Sequence, residues 1–299
     1  MTNTANKPLD WYAERTAYLS EFMSEERRQV LQRTLDSRTR YMTILTENTY
    51  HAQNASALVR HCEAFGVQDI HTIETRCKFN PNVNIVRGTD KWIDLHRHRT
   101  TAEAIADLKG RGYRIVATTP HREDKTPETF DVAASPFVLV FGTEHAGISD
   151  EIVAAADEFL RIPMCGMVES LNVSASAAIL IYMLSSRMRE TVPDWRLTAG
   201  KRAEILYRWT FASVRDAEAI LRRPKNKEND EYDTTQTVPG PRRPNLARTH
   251  DDRGGAGRRR FFLYTRRQTL LRSGGGGFGQ QRRPCQSPRG GSRAAAGGR

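Results

Sequence analysis

Residues 162–176 read IPMCGMVESLNVSAS. Ile162, Pro163 and Met164 lead into a loop with Gly166, and the loop ends on Ser170, Leu171 and Asn172 before a long apolar stretch at helical spacing. Ser or Asn at that place is an N-cap, because its side-chain oxygen accepts from the first unpartnered backbone N–H groups of a helix. Capping needs one of the two residues and leaves the rest of the string unexplained. Upstream, residues 159–162 have strand character; downstream, residues 173–189 keep the helical period. The segment is therefore a loop between the carboxyl end of a strand and a helix N-terminus.

The same alternation runs through the residues before it. Residues 41–46 (YMTILT) form a β-branched strand. Residues 54–65 put Ala57, Leu58, Cys62 and Phe65 on one helix face, Gly66 stops that helix, and residues 69–74 (DIHTIE) are the next strand, so 41–74 make one βαβ unit. A helix over 100–110, a strand over 114–118 (RIVAT) and a continuous apolar strand over 137–141 (FVLVF) follow. An uninterrupted apolar run of that length is typical of a strand buried on both faces of a parallel sheet. Ser149 caps a short helix with Asp150 and Glu151 in its first turn, where negative charge is favourable. The prediction is an α/β fold with a mostly parallel sheet, preceded by a helix over 24–40 and followed by a helical segment over 198–223.

Charge divides the chain. Of 299 residues, 46 are Lys or Arg and 35 are Asp or Glu, a formal charge of +11. Residues 224–299 hold 17 of the basic and 6 of the acidic residues, so the first 223 are neutral and the end carries the whole excess. That end also holds 13 of the 21 glycines and almost no apolar periodicity, which predicts a disordered basic tail. Arg253-Gly254-Gly255 and Arg289-Gly290-Gly291 are of the kind that touches single-stranded RNA, although composition favours a merely solvated tail. The expected organisation is a helical extension over 1–40, a central domain over 41–190, a second helical extension over 191–223 and the tail. No apolar run approaches the ~20 residues of a membrane span. The N-terminus lacks the charged start and apolar core of a secretory leader, and the four cysteines show neither CxxC spacing nor a His partner at ligand distance. A cytoplasmic chain without metal or membrane partners is expected.

No GxGxxG follows a strand, and GxxxxGK[ST], GxSxG and HExxH are all missing. What remains is three segments, each at the carboxyl end of a predicted strand, where open α/β sheets place their ligands. The first is 47–60 (ENTYHAQNASALVR), with Asn54 opening a helix and Arg60 nearly two turns on. Read alone, these are a cap and a solvated charge. The second is 141–148 (FGTEHAGI), in which Gly142 and Gly147 allow close backbone approach and Glu144 offers an acceptor. The third is 162–176.

Together they resemble the signature motifs of the SpoU class of SPOUT methyltransferases: N-x-x-x-x-x-R at Asn54 and Arg60, G-x-E-x-x-G at Gly142, Glu144 and Gly147, and IPM-x-GMV-x-SLNVS at 162–174. The resemblance covers about residues 24–190. Within the class, the chain is most similar to the TrmH branch, whose members methylate the 2′-hydroxyl of a guanosine in the tRNA D-loop; methyltransferases of the tRNA wobble position or of ribosomal RNA are the alternatives. A non-enzymatic RNA-binding protein would explain the basic tail but not the three segments.

The resemblance implies an α/β sheet with a C-terminal trefoil knot, a homodimer with an active site drawn from both subunits, S-adenosylmethionine as cofactor and tRNA as substrate. It implies that Arg60 grips the substrate phosphate and stabilises the developing alkoxide, that Asn54 orients Arg60 or the ribose, and that Glu144 and Asn172 complete the catalytic set. The cofactor would be held by Thr118, Leu139, Gly142, Gly147, Ile162, Met164, Ser170 and Leu171. Phosphate contacts are expected from Arg27, Arg28, Arg33, Arg38 and Arg40, and from Arg202, Arg208, Arg215, Arg222 and Arg223.

Overall fold

The computed structural model describes residues 7–120, 122, 124–143 and 146–222. The tail, its RGG elements, Arg223 and Glu144 lie outside the described residues.

The chain opens with two helices, α1 (Leu9–Ser20) and α2 (Glu25–Asp36). Sequence periodicity predicts one helix over 24–40. Ser24 does start α2, accepting from the Arg27 N–H at 3.3 Å, but the helix ends at Asp36, and α1 precedes it. Strand β1 (Met42–Glu47), helix α3 (Ala52–Ala64) and strand β2 (Asp69–Ile73) then form the expected βαβ unit, with β1 parallel to β2. A short turn of helix, α4 (Val83–Val86), leads to strand β3 (Asp94–His98), which sequence patterning misses. DLHRH has one apolar residue in five, because β3 is an edge strand with Leu95 and Arg97 exposed.

Helix α5 (Thr101–Gly110), strands β4 (Arg114–Thr118) and β5 (Phe137–Phe141), helix α6 (Asp150–Ala155) and strand β6 (Glu158–Leu160) follow close to their predicted places. The long helix α7 (Val173–Thr191) starts at Asn172, as expected. The predicted 198–223 segment is two helices, α8 (Ala199–Ser213) and α9 (Ala217–Arg222), separated where Asp216 takes a left-handed φ of 57°.

The strands make one parallel sheet in the order β3-β2-β1-β5-β4-β6. Its two faces have separate cores. Met42, Ile44, Val116, Phe137, Leu139 and Phe141 pack against α3 and α7 through Leu58, Cys62, Leu180 and Leu184. Leu45, Ile73, Ile115, Val138 and Val140 pack against α5 and α6 through Ala104, Leu108 and Ile152. Residues of β1 and β5 alternate between these cores, so both strands are apolar along their length.

The helices before β1 and after α7 share a further core of Leu31, Leu35, Leu197, Ile205 and Trp209. Arg38 is fully buried there, over the Trp209 ring at 5.2 Å and paired with Glu63 at 3.2 Å. The N-terminal ends of β2 and β3 carry Asp69 and Asp94. Arg40 binds both, at 3.1 and 2.6 Å, and Arg208 of α8 grips Asp94 with two nitrogens at 2.5 and 2.8 Å. This corrects the expectation for several arginines: Arg38, Arg40 and Arg208 hold the extensions to the sheet, and Arg202 pairs with Asp36 at 2.6 Å. Arg28 pairs with Glu25 and Arg222 with Glu218, while Arg33 and Arg215 remain largely exposed.

Candidate functional site

The carboxyl ends of β4, β5 and β6 open on a cavity of about 620 Å³. Thr118 lines it from β4, Gly142 and Gly147 from the loop after β5, and Ile162, Met164, Ser170, Leu171 and Asn172 from the loop after β6. The place follows from topology: β1 and β5 are neighbours from which the chain departs in opposite directions, and α/β sheets bind ligands outside the carboxyl ends near such a point.

Each loop is shaped by backbone bonding. In the second segment the Thr143 N–H donates to the Gly147 carbonyl at 2.8 Å, the Gly147 N–H donates back at 3.1 Å, and the Ala146 N–H reaches the Thr143 hydroxyl at 2.9 Å. This closes a small ring over Gly142. A Cβ on Gly142 would lie 2.1–2.3 Å from backbone atoms of Gly147 and Ile148, so only glycine fits. Gly147, at φ 69°, takes the left-handed turn. The ring is anchored from below: Glu47, buried at the end of β1, accepts the Ser149 N–H at 3.0 Å. After β4, the Thr118 hydroxyl donates to the Val140 carbonyl at 2.7 Å and the Thr119 N–H to the Leu160 carbonyl at 3.1 Å.

The first and third segments meet directly. Asn172 caps α7, its carbonyl oxygen accepting the Ser174 N–H at 2.8 Å and the Ser174 hydroxyl at 2.6 Å. Its side-chain amide donates to the carbonyl oxygen of Asn54 at 3.3 Å. Asn54 is not the cap expected from sequence. Helix α3 begins at Ala52, which places Asn54 in the first turn, buried and turned inward. Arg60, further along α3, is exposed and donates to the Ile85 carbonyl of α4 at 2.9 Å. The Ser56 hydroxyl holds the same segment by accepting the Asn82 N–H at 2.8 Å. Next to Arg60, the His61 pKa lies below its ordinary value, first from burial and then from the Arg60 charge.

Leu139 requires a correction. It is wholly buried between Ile44 and Val116 in the sheet, on the face covered by α3 and α7, and is not among the residues lining the cavity. The strict alternation of FVLVF puts Phe137, Leu139 and Phe141 on that face, and only Phe141, at the strand end, reaches the cavity. Neither Arg60 nor Asn54 lines the cavity of its own chain. Sequence reasoning missed Glu47, although a carboxylate ending a buried apolar strand is itself a signal that something must satisfy it. Tyr50 of the first segment and Met167, Val168 and Leu171 of the third leave large apolar surfaces exposed.

The cavity suits a nucleoside-sized group with an apolar ring and a polar edge. Its walls are Ile162, Met164 and Leu171, and its rim is loop backbone that glycine lets a ligand approach. The molecule is thus a parallel α/β protein with a ligand cavity of three loops at the carboxyl ends of its strands.

The comparisons with known proteins agree. The SpoU rRNA Methylase family matches residues 41–182. The tRNA (guanosine(18)-2′-O)-methyltransferase of Borreliella burgdorferi is 32% identical over 206 residues, which is 69% of this chain and 94% of that protein. The Escherichia coli protein of the same name is 34% identical over 142 residues, 47% of this chain and 61% of its own length. Among solved structures, the Aquifex aeolicus TrmH/SpoU tRNA modifying enzyme shares 31% identity and a TM-score of 0.56, over 64% of this chain and 98% of that one. The chain belongs to the SpoU methylase family.

Proposed function

We propose that the protein transfers the methyl group of S-adenosylmethionine to a ribose 2′-hydroxyl of tRNA, with guanosine 18 of the D-loop as target. The contact between Asn54 and Asn172 carries this reading, because it joins the segment bearing Arg60 to the rim of the cavity. The names of the Borreliella and Escherichia relatives support the substrate.

S-Adenosylmethionine supplies a methyl group on a sulfonium, a good leaving group, so the protein needs to align the reactants and handle one proton. Ile162, Met164 and Leu171 would hold the adenine, and the backbone of 142–147 and Thr118 would bind its polar edges. Ser170 and Asn172 shape the loop that faces the ribose. Arg60 is a permanent cation, so it does not serve as a base. It grips a substrate phosphate and stabilises the alkoxide that develops as the 2′-hydroxyl loses its proton to phosphate or water. Asn54 orients this arrangement, and Glu144 is assigned to substrate positioning by its place in the second motif.

Arg60 lies outside the cavity of its own chain, which supports a homodimer in which each cavity is completed by a second subunit. The exposed Met167, Val168 and Tyr50 are available for that contact. The trefoil knot and the division into extensions over 1–40 and 191–223 around a 41–190 domain belong to the same reading, supported by family membership. Transfer of labelled methyl to unmodified tRNA transcripts, with and without the D-loop guanosine replaced, tests it. Label that depends on that guanosine is the expected result. Persistent label moves the target to another tRNA position, and label on ribosomal RNA alone overturns the tRNA assignment.

A further inference from the structure

The face of the sheet beneath α5 carries polar groups that methyl transfer does not use. Strand alternation puts Asp69 and His71 of β2 on that face with Asp94, His96 and His98 of β3, and the parallel register sets His71 beside His96. The three imidazoles are stacked, with His71 4.5 Å from His96 and 5.3 Å from His98 between ring centroids. His71 is completely buried and His98 nearly so. The His71 Nδ1 lies 3.0 Å from the His98 Nε2 and 4.0 Å from Oδ2 of Asp107, which descends from α5.

Hydrogen bonds do not satisfy this group. One proton can be shared between His71 and His98, yet Asp107 Oδ2 and His71 Nε2 are both buried without a partner. Asp107 is fixed through its other oxygen, which accepts from Arg111 Nε at 3.0 Å. Its other oxygen is therefore held towards the imidazoles, 4.0 Å from the His71 Nδ1.

We propose that His71 Nδ1, His98 Nε2 and Asp107 Oδ2 form a binding site for a late first-row divalent metal ion of the zinc type. The three residues offer ligand atoms within 4.8 Å of one another. Zinc takes imidazole nitrogen at about 2.0–2.1 Å and carboxylate oxygen at about 2.0–2.2 Å, so nitrogens 3.0 Å apart can share one ion with a small inward shift of Asp107. Two imidazoles and one carboxylate favour zinc, cobalt or nickel over magnesium or calcium, which prefer oxygen alone. Neutral imidazole binds such ions through either ring nitrogen. Asp69 and His96 stand on the other side of His71, each with a polar atom within 4.8 Å of one of its ring nitrogens. The ion would tie α5 to the β2-β3 edge, and the site stands whether or not the methyl-transfer reading holds.

The test uses untagged, chelator-stripped full-length protein, titrated with zinc against a chromogenic competitor and with cobalt for its absorption spectrum. One equivalent per chain is expected, with a tetrahedral or five-coordinate cobalt spectrum. His98→Gln and Asp107→Asn should weaken zinc binding by more than about 100-fold. His96→Gln, on the far side of His71, should keep it. Zinc should raise the unfolding temperature of the wild type and not of His98→Gln. Absence of stoichiometric binding in the wild type overturns the proposal without recourse to any variant, and so does equal binding by the wild type, His98→Gln and Asp107→Asn.

Discussion

The side-chain amide of Asn172 donates to the side-chain carbonyl of Asn54 at 3.3 Å, across 118 residues of sequence. The same Asn172 caps α7 through its other side-chain atom, so one residue fixes a helix start and connects two loops. Asn172→Ser separates these roles. Serine caps as well as asparagine but is too short to reach Asn54. Thermal stability should stay within about 0.5 kcal/mol of wild type while methyl transfer falls by more than about tenfold. Asn172→Ala should lose the cap as well, about 1 kcal/mol. Denaturant unfolding and single-turnover transfer read the two effects.

Arg60→Ala should abolish transfer and leave calorimetric cofactor affinity within about twofold, because its assigned role is on the substrate phosphate and the developing alkoxide, not on the cofactor. Arg60→Lys should recover little, since an ammonium cannot reproduce the planar fork on a phosphate. Loss of cofactor affinity in Arg60→Ala would count against the role assigned to it.

Glu47→Ala removes the acceptor for the Ser149 N–H beneath the 142–147 ring. Cofactor affinity should drop by about tenfold, and Glu47→Gln, which keeps a carbonyl oxygen there, should restore most of it. Similar affinity in both variants would show that the contact does not shape the loop.

Gly142→Ala forces a methyl group into the backbone of Gly147 and Ile148. The ring would have to open, so cofactor binding should be lost by calorimetry although circular dichroism still reports the sheet.

Asp94 is the shared partner of Arg40 and Arg208. Burial alone would raise its pKa, but hydrogen bonds and charge from Arg208 and Arg40 outweigh burial and hold it below the ordinary value. A depressed carboxyl stabilises fully above the unfolded-state pKa of about 4, and that stability fades as pH falls through the lower folded-state value. Asp94→Asn should therefore cost about 1–3 kcal/mol at neutral pH, the partners being partly exposed, and the difference from wild type should shrink in acid. Urea unfolding at neutral pH and at pH about 3 checks both.

Much of this was legible in the chain. FVLVF announces a central parallel strand because a strand buried on both faces has no reason to alternate polarity. The 162–174 string announces a loop and a cap, because local backbone bonding there depends on residues close in sequence. The α1 helix and the β3 strand were not legible. DLHRH is polar because it lies at the sheet edge, and its histidines are explained only by the register that brings His98 to His71 and by α5 covering that face.

The tertiary structure also decided what the charged and polar side chains do. Arg38, Arg40 and Arg208 are identical in sequence character to a surface arginine, yet they are drawn inward by Glu63, Asp69 and Asp94, each distant in sequence. Leu139 has the apolar character expected of a cavity wall but faces the core, since its side is fixed by strand parity and by the helices that cover each face. Sequence by itself determined the α/β alternation, the loop chemistry and the family, which rest on short-range periodicity and motif spacing. Only folding decided which polar groups meet, because such meetings depend on topology that brings residues a hundred positions apart to within a hydrogen bond.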